Sequence, residues 1–306
     1  MAKYILSRLV EVLIAVFGLV TIIFLVSRML GDPVSLLLPQ GASAGDLEAM
    51  RVQLGLQRPL FEQYLGFLRH VLSGDLGTSF FYQRPALQVV LERMPATLEL
   101  TALSALFGLV MGCLAGLIAA LYRNSIWEFL VLACAMLGQA TPAFWLAIMM
   151  ILLFSVQLGW LPTGGTGGVL HLIMPTAVMS IFIAANIARL FRSSLLEVMG
   201  EDYVRTAWAK GLPPRTVITW HMARNAVLPV VTMSGLLVGE MLGGSVVVET
   251  IFSWPGVGRL IVEAVANRDF PLIQAGVAVV SALFLLVSLV VDLLYSWLDP
   301  RVRQSQ

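Results

Sequence analysis

One carboxylate lies deeper than any other in the apolar part of this chain. Glu240 lies near the middle of the apolar segment 227–248, beside Gly235, Gly239 and Gly243. An ionisable side chain inside such a segment is expensive to hold there and is a functional candidate by default. Glu240 reads either as lining for a pathway or gate, or as one end of a buried structural hydrogen bond. Asn186 and Gln139, polar but neutral, sit inside two other apolar segments and are candidates for the same pathway. Glu11, Arg28 and Asp292 lie near segment ends, where a side chain can reach the interface. A second group, Arg205, Lys210, Arg215, His221 and Arg224, falls within a polar island at 200–229, between two long apolar stretches.

Little other chemistry is available. There is no GxxxxGK[ST] phosphate loop, no HExxH, no paired CxxC and no GxSxG. His70, His171 and His221 are far apart, so neither a catalytic residue nor a metal site is expected. Cys113 and Cys134 lie in apolar runs without CxxC spacing and read as small packing residues. A chain without its own energy-supplying chemistry that keeps an ordered polar island is expected to dock a partner that supplies it.

The elements that must position these residues follow from composition. Of 306 residues, 58% are hydrophobic and 12% charged, about half the charged share of a soluble domain, which places the chain in the integral membrane class. The net charge of +1, with no dense basic run, argues against nucleic acid as a partner. Segments at about 9–30, 98–121, 129–158, 170–190, 227–248 and 273–298 are each long and apolar enough to span a bilayer. The third exceeds one crossing and is interrupted at Gln139-Ala140-Thr141-Pro142, so a kink or tilt is expected there. The N-terminus has basic residues before its apolar run, as a signal peptide does. Without a small-residue cleavage site it reads as an uncleaved first span.

Small residues recur at every fourth position in the second segment, at Gly108, Gly112 and Gly116, and in the fifth, at Gly235, Gly239 and Gly243. Each set makes a groove that admits a neighbouring backbone, and helix packing is the simplest use for it. The fifth-segment groove could also face a partner subunit. Lys3, Arg8, Arg123, the cations of 189–224, Arg301 and Arg303 place both termini and the 191–226 loop in the cytoplasm by the positive-inside rule. The loop after the first span carries five arginines of its own, but it is long and balanced by acids, where the rule loses force. That loop has Leu56, Leu60, Tyr64, Phe67 and Leu68 at helical spacing and a further amphipathic stretch, QRPALQVVLERMP. Both predict short helices lying across the outer membrane face, with a small soluble cap as the alternative.

Within the island, Asp202 predicts the N-cap of a helix running from Tyr203 to Lys210, and Gly211 predicts its left-handed stop. Pro213 and Pro214 suit the first turn of a second short helix. The expected fold class is an all-α integral membrane protein of six transmembrane helices, with amphipathic helices in the outer loop and a cytoplasmic helix pair. The expected divisions are 1–30, 31–97 and a core of 98–306 holding the polar loop at about 191–226.

The stretch Val204-Arg205-Thr206-Ala207-Trp208-Ala209-Lys210-Gly211 resembles the conserved cytoplasmic loop of bacterial ABC-importer permeases, in the form found in their peptide/nickel branch. Gly31-Asp32-Pro33, LGLQRPLFEQYL, GDLGTSF, RMPATLEL, LGWLP, RSSLLEV, GGSVVVETIFSWPGVGR and RDFPLIQ resemble the same branch in the same order, and together they cover most of the chain. The resemblance is to the first of the two permeases. It implies that the island is a coupling helix region docking on an ATPase subunit, with Tyr203, Arg205, Thr206, Ala207, Lys210 and Gly211 at the interface. The pattern departs after Gly211, at His221-Met222-Ala223-Arg224. It further implies a second homologous permease, two ATPase subunits carrying ATP and magnesium, an extracytoplasmic solute-binding protein and a bacterial inner-membrane location. No cofactor is then expected on this chain. The solute it implies is a di- or oligopeptide, with nickel, glutathione or another small solute as alternatives, and an autonomous channel or membrane enzyme as the reading from a different class.

Overall fold

The computed structural model describes residues 10–11, 14–18, 20–22, 24–25, 43–53 and 56–298, with side chains to 291. The predicted first span is described only in part. Arg28, the motif at 31–33 and the terminal cations lie outside the described residues, as does the side chain of Asp292. Described positions between 10 and 25 are helical. The helices that follow are α1 (Ala44–Gln53), α2 (Leu60–Leu72), α3 (Ala86–Leu121), α4 (Ile126–Ala140), α5 (Ala143–Met150, continued by a π-helical turn at Ile151–Gln157), α6 (Val169–Met199), α7 (Asp202–Ala209), α8 (Pro214–Ile251), α9 (Val257–Ala266) and α10 (Phe270–Leu298). No β-strand forms among the described residues; an isolated bridge pairs Thr78 with Pro85.

By length and composition, α3, α6, α8 and the Phe270–Val291 part of α10 can each cross a membrane, and the bent pair α4–α5 makes a fifth candidate. The interruption in the third apolar segment is sharper than a kink, with the two helices meeting at 104°. The cause is local. Pro142 has no N–H to continue the ladder and drives Thr141 into extended geometry (φ −82°, ψ 122°), while the Thr141 hydroxyl donates to the Leu137 carbonyl at 2.7 Å.

Several helices outrun their predicted bounds. The amphipathic stretch expected as a separate interfacial helix is the first part of α3, which runs unbroken through the exposed Pro95. Phe191–Met199 belongs to α6, so the non-helical backbone of the predicted 191–226 loop reduces to 200–201 and 210–213. The second helix of the expected short pair is not separate either. Pro214–Thr216 leads through a π-helical turn, Val217–Ala223, straight into Arg224–Ile251.

The chain forms two compact units, residues 1–97 with 255–285 and residues 98–254 with 286–306. Residues 255–285 thus group with 1–97. In that first unit, α2 packs on the first apolar segment. The Tyr64 hydroxyl shares a 2.6 Å hydrogen bond with Thr21, and the Phe24 ring lies 5.3 Å from Tyr64 and 5.6 Å from Phe67. Val89, Val90, Leu260 and Leu272 form its buried core. Beside it Asp269, fully buried, accepts from the Ser79 hydroxyl at 2.5 Å, the Phe81 amide at 3.0 Å and, as the cap of α10, the Leu272 amide at 3.2 Å. The GDLGTSF and RDFPLIQ motifs are thus two halves of one hydrogen-bonded joint.

In the second unit the glycine ridge of α3 lies on α6. A Cβ at Gly108 would stand 2.8 Å from Ile183, one at Gly112 2.8 Å from Ile187, and one at Gly116 2.7 Å from the Ala188 carbonyl. The fifth-segment glycines divide. Gly235 packs on Val291, Gly239 is buried, and Gly243 meets nothing within 4 Å. Cys113 is half-buried, whereas Cys134 is exposed, so the latter is not the packing residue its apolar surroundings suggested.

Candidate functional site

Two parts of the second unit gather the predicted site residues. The first is α7. Its N-cap is Glu201, one residue before the expected Asp202, and no side chain caps it; Asp202 instead opens the helix and pairs with the exposed Arg205 at 3.4 Å. The C-terminus closes as a Schellman motif. Gly211 has φ +72°, its amide donates to the Trp208 carbonyl at 2.9 Å, and the Leu212 amide donates to the Ala207 carbonyl at 3.4 Å.

The eight-residue α7 is too short to be stable in isolation, so its position depends on what it packs against. Val204 and Ala207, three residues apart on one face, are 1% and 3% exposed and turn toward the π-helical turn of α8, where Val217 and Met222 are also buried. The Tyr203 hydroxyl accepts from the Asn225 side-chain amide at 2.9 Å, which fastens the start of α7 to the start of the long helix. The opposite face, with Tyr203, Arg205, Thr206 and Trp208, is exposed, as are Lys210 and Gly211. Ala207, expected at the interface, has its methyl group buried inside the chain's own fold. Trp208, not singled out from the sequence, takes its place on the open face, and Trp220 is a further exposed ring, with the Arg224 guanidinium 5.8 Å from its centroid.

The second part is a cavity of about 290 Å³ where α4, the Thr141 break, α5, α6 and α8 meet. Gly138, Thr141, Leu146, Met179 and Phe182 supply much of its wall, and Glu240 is the carboxylate that lines it. Glu240 is exposed, and its side chain makes no hydrogen bond or ion pair among the described residues. Gln139 and Asn186 are brought together. Gln139 Nε2 donates to Asn186 Oδ1 at 3.2 Å, Arg189 donates to the same oxygen at 3.2 Å, and Asn186 Nδ2 donates to the Phe182 carbonyl at 2.9 Å.

A third feature was missed from the sequence. Arg192 Nε donates to Glu128 Oε1 at 2.7 Å, tying α4 to α6, and Glu128 Oε2 also accepts from the Asn124 amide at 2.5 Å. Ser125, the N-cap of α4, accepts from the Trp127 amide at 3.2 Å. The S-x-x-E spacing of Ser125 and Glu128 is a helix-start signature that could have located this corner.

With this geometry in place, relatedness decides the class. A family model described as "Binding-protein-dependent transport system inner membrane component" matches residues 112–304, and one for the N-terminal part of such membrane components matches residues 1–101. The chain belongs to this permease family. It is an ABC-importer inner-membrane permease of the peptide/nickel branch. The permease is 42% identical over 304 residues to the glutathione transport system permease protein GsiC of Escherichia coli strain K12, covering 99% of each chain, and 41% identical to the protein of that name from Shigella boydii, again over 99% of each. In fold it is similar to a chain of the inward-facing MetNI methionine ABC transporter (TM-score 0.59, 18% identity, 69% of the permease and 97% of that chain). A chain from a crystal structure of an amino acid ABC transporter gives 0.54, at 17% identity over 68% and 94%.

Proposed function

We propose that this permease forms half of the translocation pathway of an importer for small peptide-like solutes, with glutathione and short peptides foremost. A second homologous permease supplies the other half, in the arrangement where this chain is the first of the two. An extracytoplasmic binding protein delivers the solute, and two ATPase subunits, which hold the ATP and magnesium, drive the cycle. Both termini and α7 lie on the cytoplasmic side.

The observation that carries this reading is the construction of α7. One face is buried against the root of a 38-residue helix and the other is left open with Tyr203, Arg205 and Trp208. A push on the open face is passed through Val204 and Ala207 into α8, whose far half bears Glu240. This is a handle on a two-state transmembrane element. ATPase closure moves α7, α8 follows as one body, and the cavity at Glu240 changes its access. The solute assignment draws on the full-length likeness to glutathione permeases and on a cavity wall without a cluster of metal ligands among the described residues, which disfavours nickel.

The test is ATP-dependent uptake into proteoliposomes holding both permeases and both ATPases, fed by the cognate binding protein. Accumulation of labelled glutathione or dialanine, lost when either ATP or the binding protein is left out, is the expected result. Uptake that persists without ATP contradicts the reading and returns the chain to the channel class.

A further inference from the structure

We infer that the Glu240 cavity is a transit subsite for the primary ammonium group of a zwitterionic, amino-acid-derived solute, with the Gln139–Asn186–Arg189 cluster receiving its carboxylate. This rests on the proposed reading of the chain as a permease for peptide-like solutes and specifies where in the chain such a solute is held.

Glu240 carries an acceptor-only group into a wall that is otherwise mostly apolar, formed by residues such as Leu146, Met179 and Phe182. No described residue takes its charge. A carboxylate kept without a partner at the edge of a cavity is matched by a cation that arrives and leaves. The volume narrows what arrives. About 290 Å³ is close to the lower bound of about 300 Å³ for small-molecule sites, the scale of a short peptide and not of an extended oligopeptide.

The second charge is placed by α6. Met179 and Phe182 face the cavity, and Asn186 and Arg189 follow at i+4 and i+7 from Phe182, continuing the same stripe of the helix. Seven residues of α6 advance roughly 10 Å from Phe182 to Arg189, about the extended length of three peptide residues. The Asn186 amide is fixed on three sides, by Gln139, Arg189 and the Phe182 carbonyl. Arg189 is exposed and spends one hydrogen bond on Asn186 among the described residues, leaving guanidinium donors for an incoming carboxylate. Glu240 thus stands in the cavity wall, and Asn186 and Arg189 follow one and two turns along α6 beyond the cavity-lining Phe182.

The experiment uses the complete reconstituted importer and compares uptake of glutathione, dialanine and tetraalanine with that of their N-acetyl derivatives, for wild type, Glu240→Gln and Glu240→Asp. Every permease variant is fed by the same binding protein, so a change in the free-to-acetylated ratio belongs to the permease. Glu240→Gln is expected to lower uptake of the free-amine solutes on the order of tenfold, the loss of one charge-assisted contact, with little effect on acetylated ones. Glu240→Asp is expected to recover most of the preference. Equal losses for both probe types would overturn the inference and assign Glu240 to pairing with the second permease. Unchanged ratios would overturn it as well. If wild type carries no member of the panel, the solute class falls and the inference with it, whereas a nucleotide-responsive complex with the ATPases would leave the permease reading standing.

Discussion

At the scale of single residues, two glycine sites make opposite demands. Gly211 needs its backbone conformation and not its small volume, because φ is +72° and an added Cβ meets nothing within 4 Å. Gly211→Val should cost about 1–2 kcal/mol of local stability and unfasten the end of α7, while Gly211→Asn, which tolerates the left-handed region, should be mild. Protease sensitivity at 208–214 and the yield of complex with the ATPase check this pair. Gly112 needs volume and not conformation. Gly112→Ala should lower stability by about 1–3 kcal/mol by overpacking on Ile187, whereas Gly243→Ala, in open space, should be neutral or slightly stabilising in thermal unfolding in detergent. The left-handed stop at Gly211 was readable because glycine between a helical stretch and two prolines has few other uses. The division of Gly235, Gly239 and Gly243 into occupied, buried and open was not, since spacing defines a groove but not what fills it.

At the scale of elements, the joint between α4 and α6 depends on the Glu128–Arg192 pair, whose side chains keep 10% and 25% of their exposure. The Asp202–Arg205 pair on α7 is 96% and 73% exposed and contributes little. Arg192→Gln should therefore lower the unfolding temperature clearly more than Arg205→Gln. Raising salt to 1 M should reduce what remains of the Arg205 effect more than that of Arg192. The elements themselves were legible as apolar runs and the Thr141-Pro142 break, but their lengths were not. Polar flanks such as Arg192–Glu197 read as loop by composition, yet stay helical once a span has nucleated the ladder, which adds a hydrogen bond for each residue it fixes. The short second helix expected after Pro213 failed for the same reason. Nothing between Pro214 and Ile251 terminates it, and Pro229 lies within the helix. α9 was missed because its ten residues fall well short of a span, and its apolar face is explained only by the core it joins.

At the scale of the whole molecule, the chain divides into two compact units. In one, motifs far apart in sequence converge on Asp269, an association that no local pattern announces. In the other, a short helix is braced on the root of a long one that carries the cavity carboxylate. The sequence carries no GxxxxGK[ST] phosphate loop, and its polar island folds as α7 and the first turns of α8. The side of α7 that faces outward needed coordinates, because Ala207 and Trp208 are adjacent and only the fold decides which is spent inside. The central claim is that the open face of α7 is where the ATPase docks and drives the permease. The measurement that tests it most directly is co-purification of the cognate ATPase with the tagged permease, comparing wild type with Arg205→Glu and Trp208→Ala. The account predicts loss of most of the bound ATPase in both variants, with the permease still folded and still paired with its second subunit. Retention of the ATPase at wild-type levels in both would contradict it.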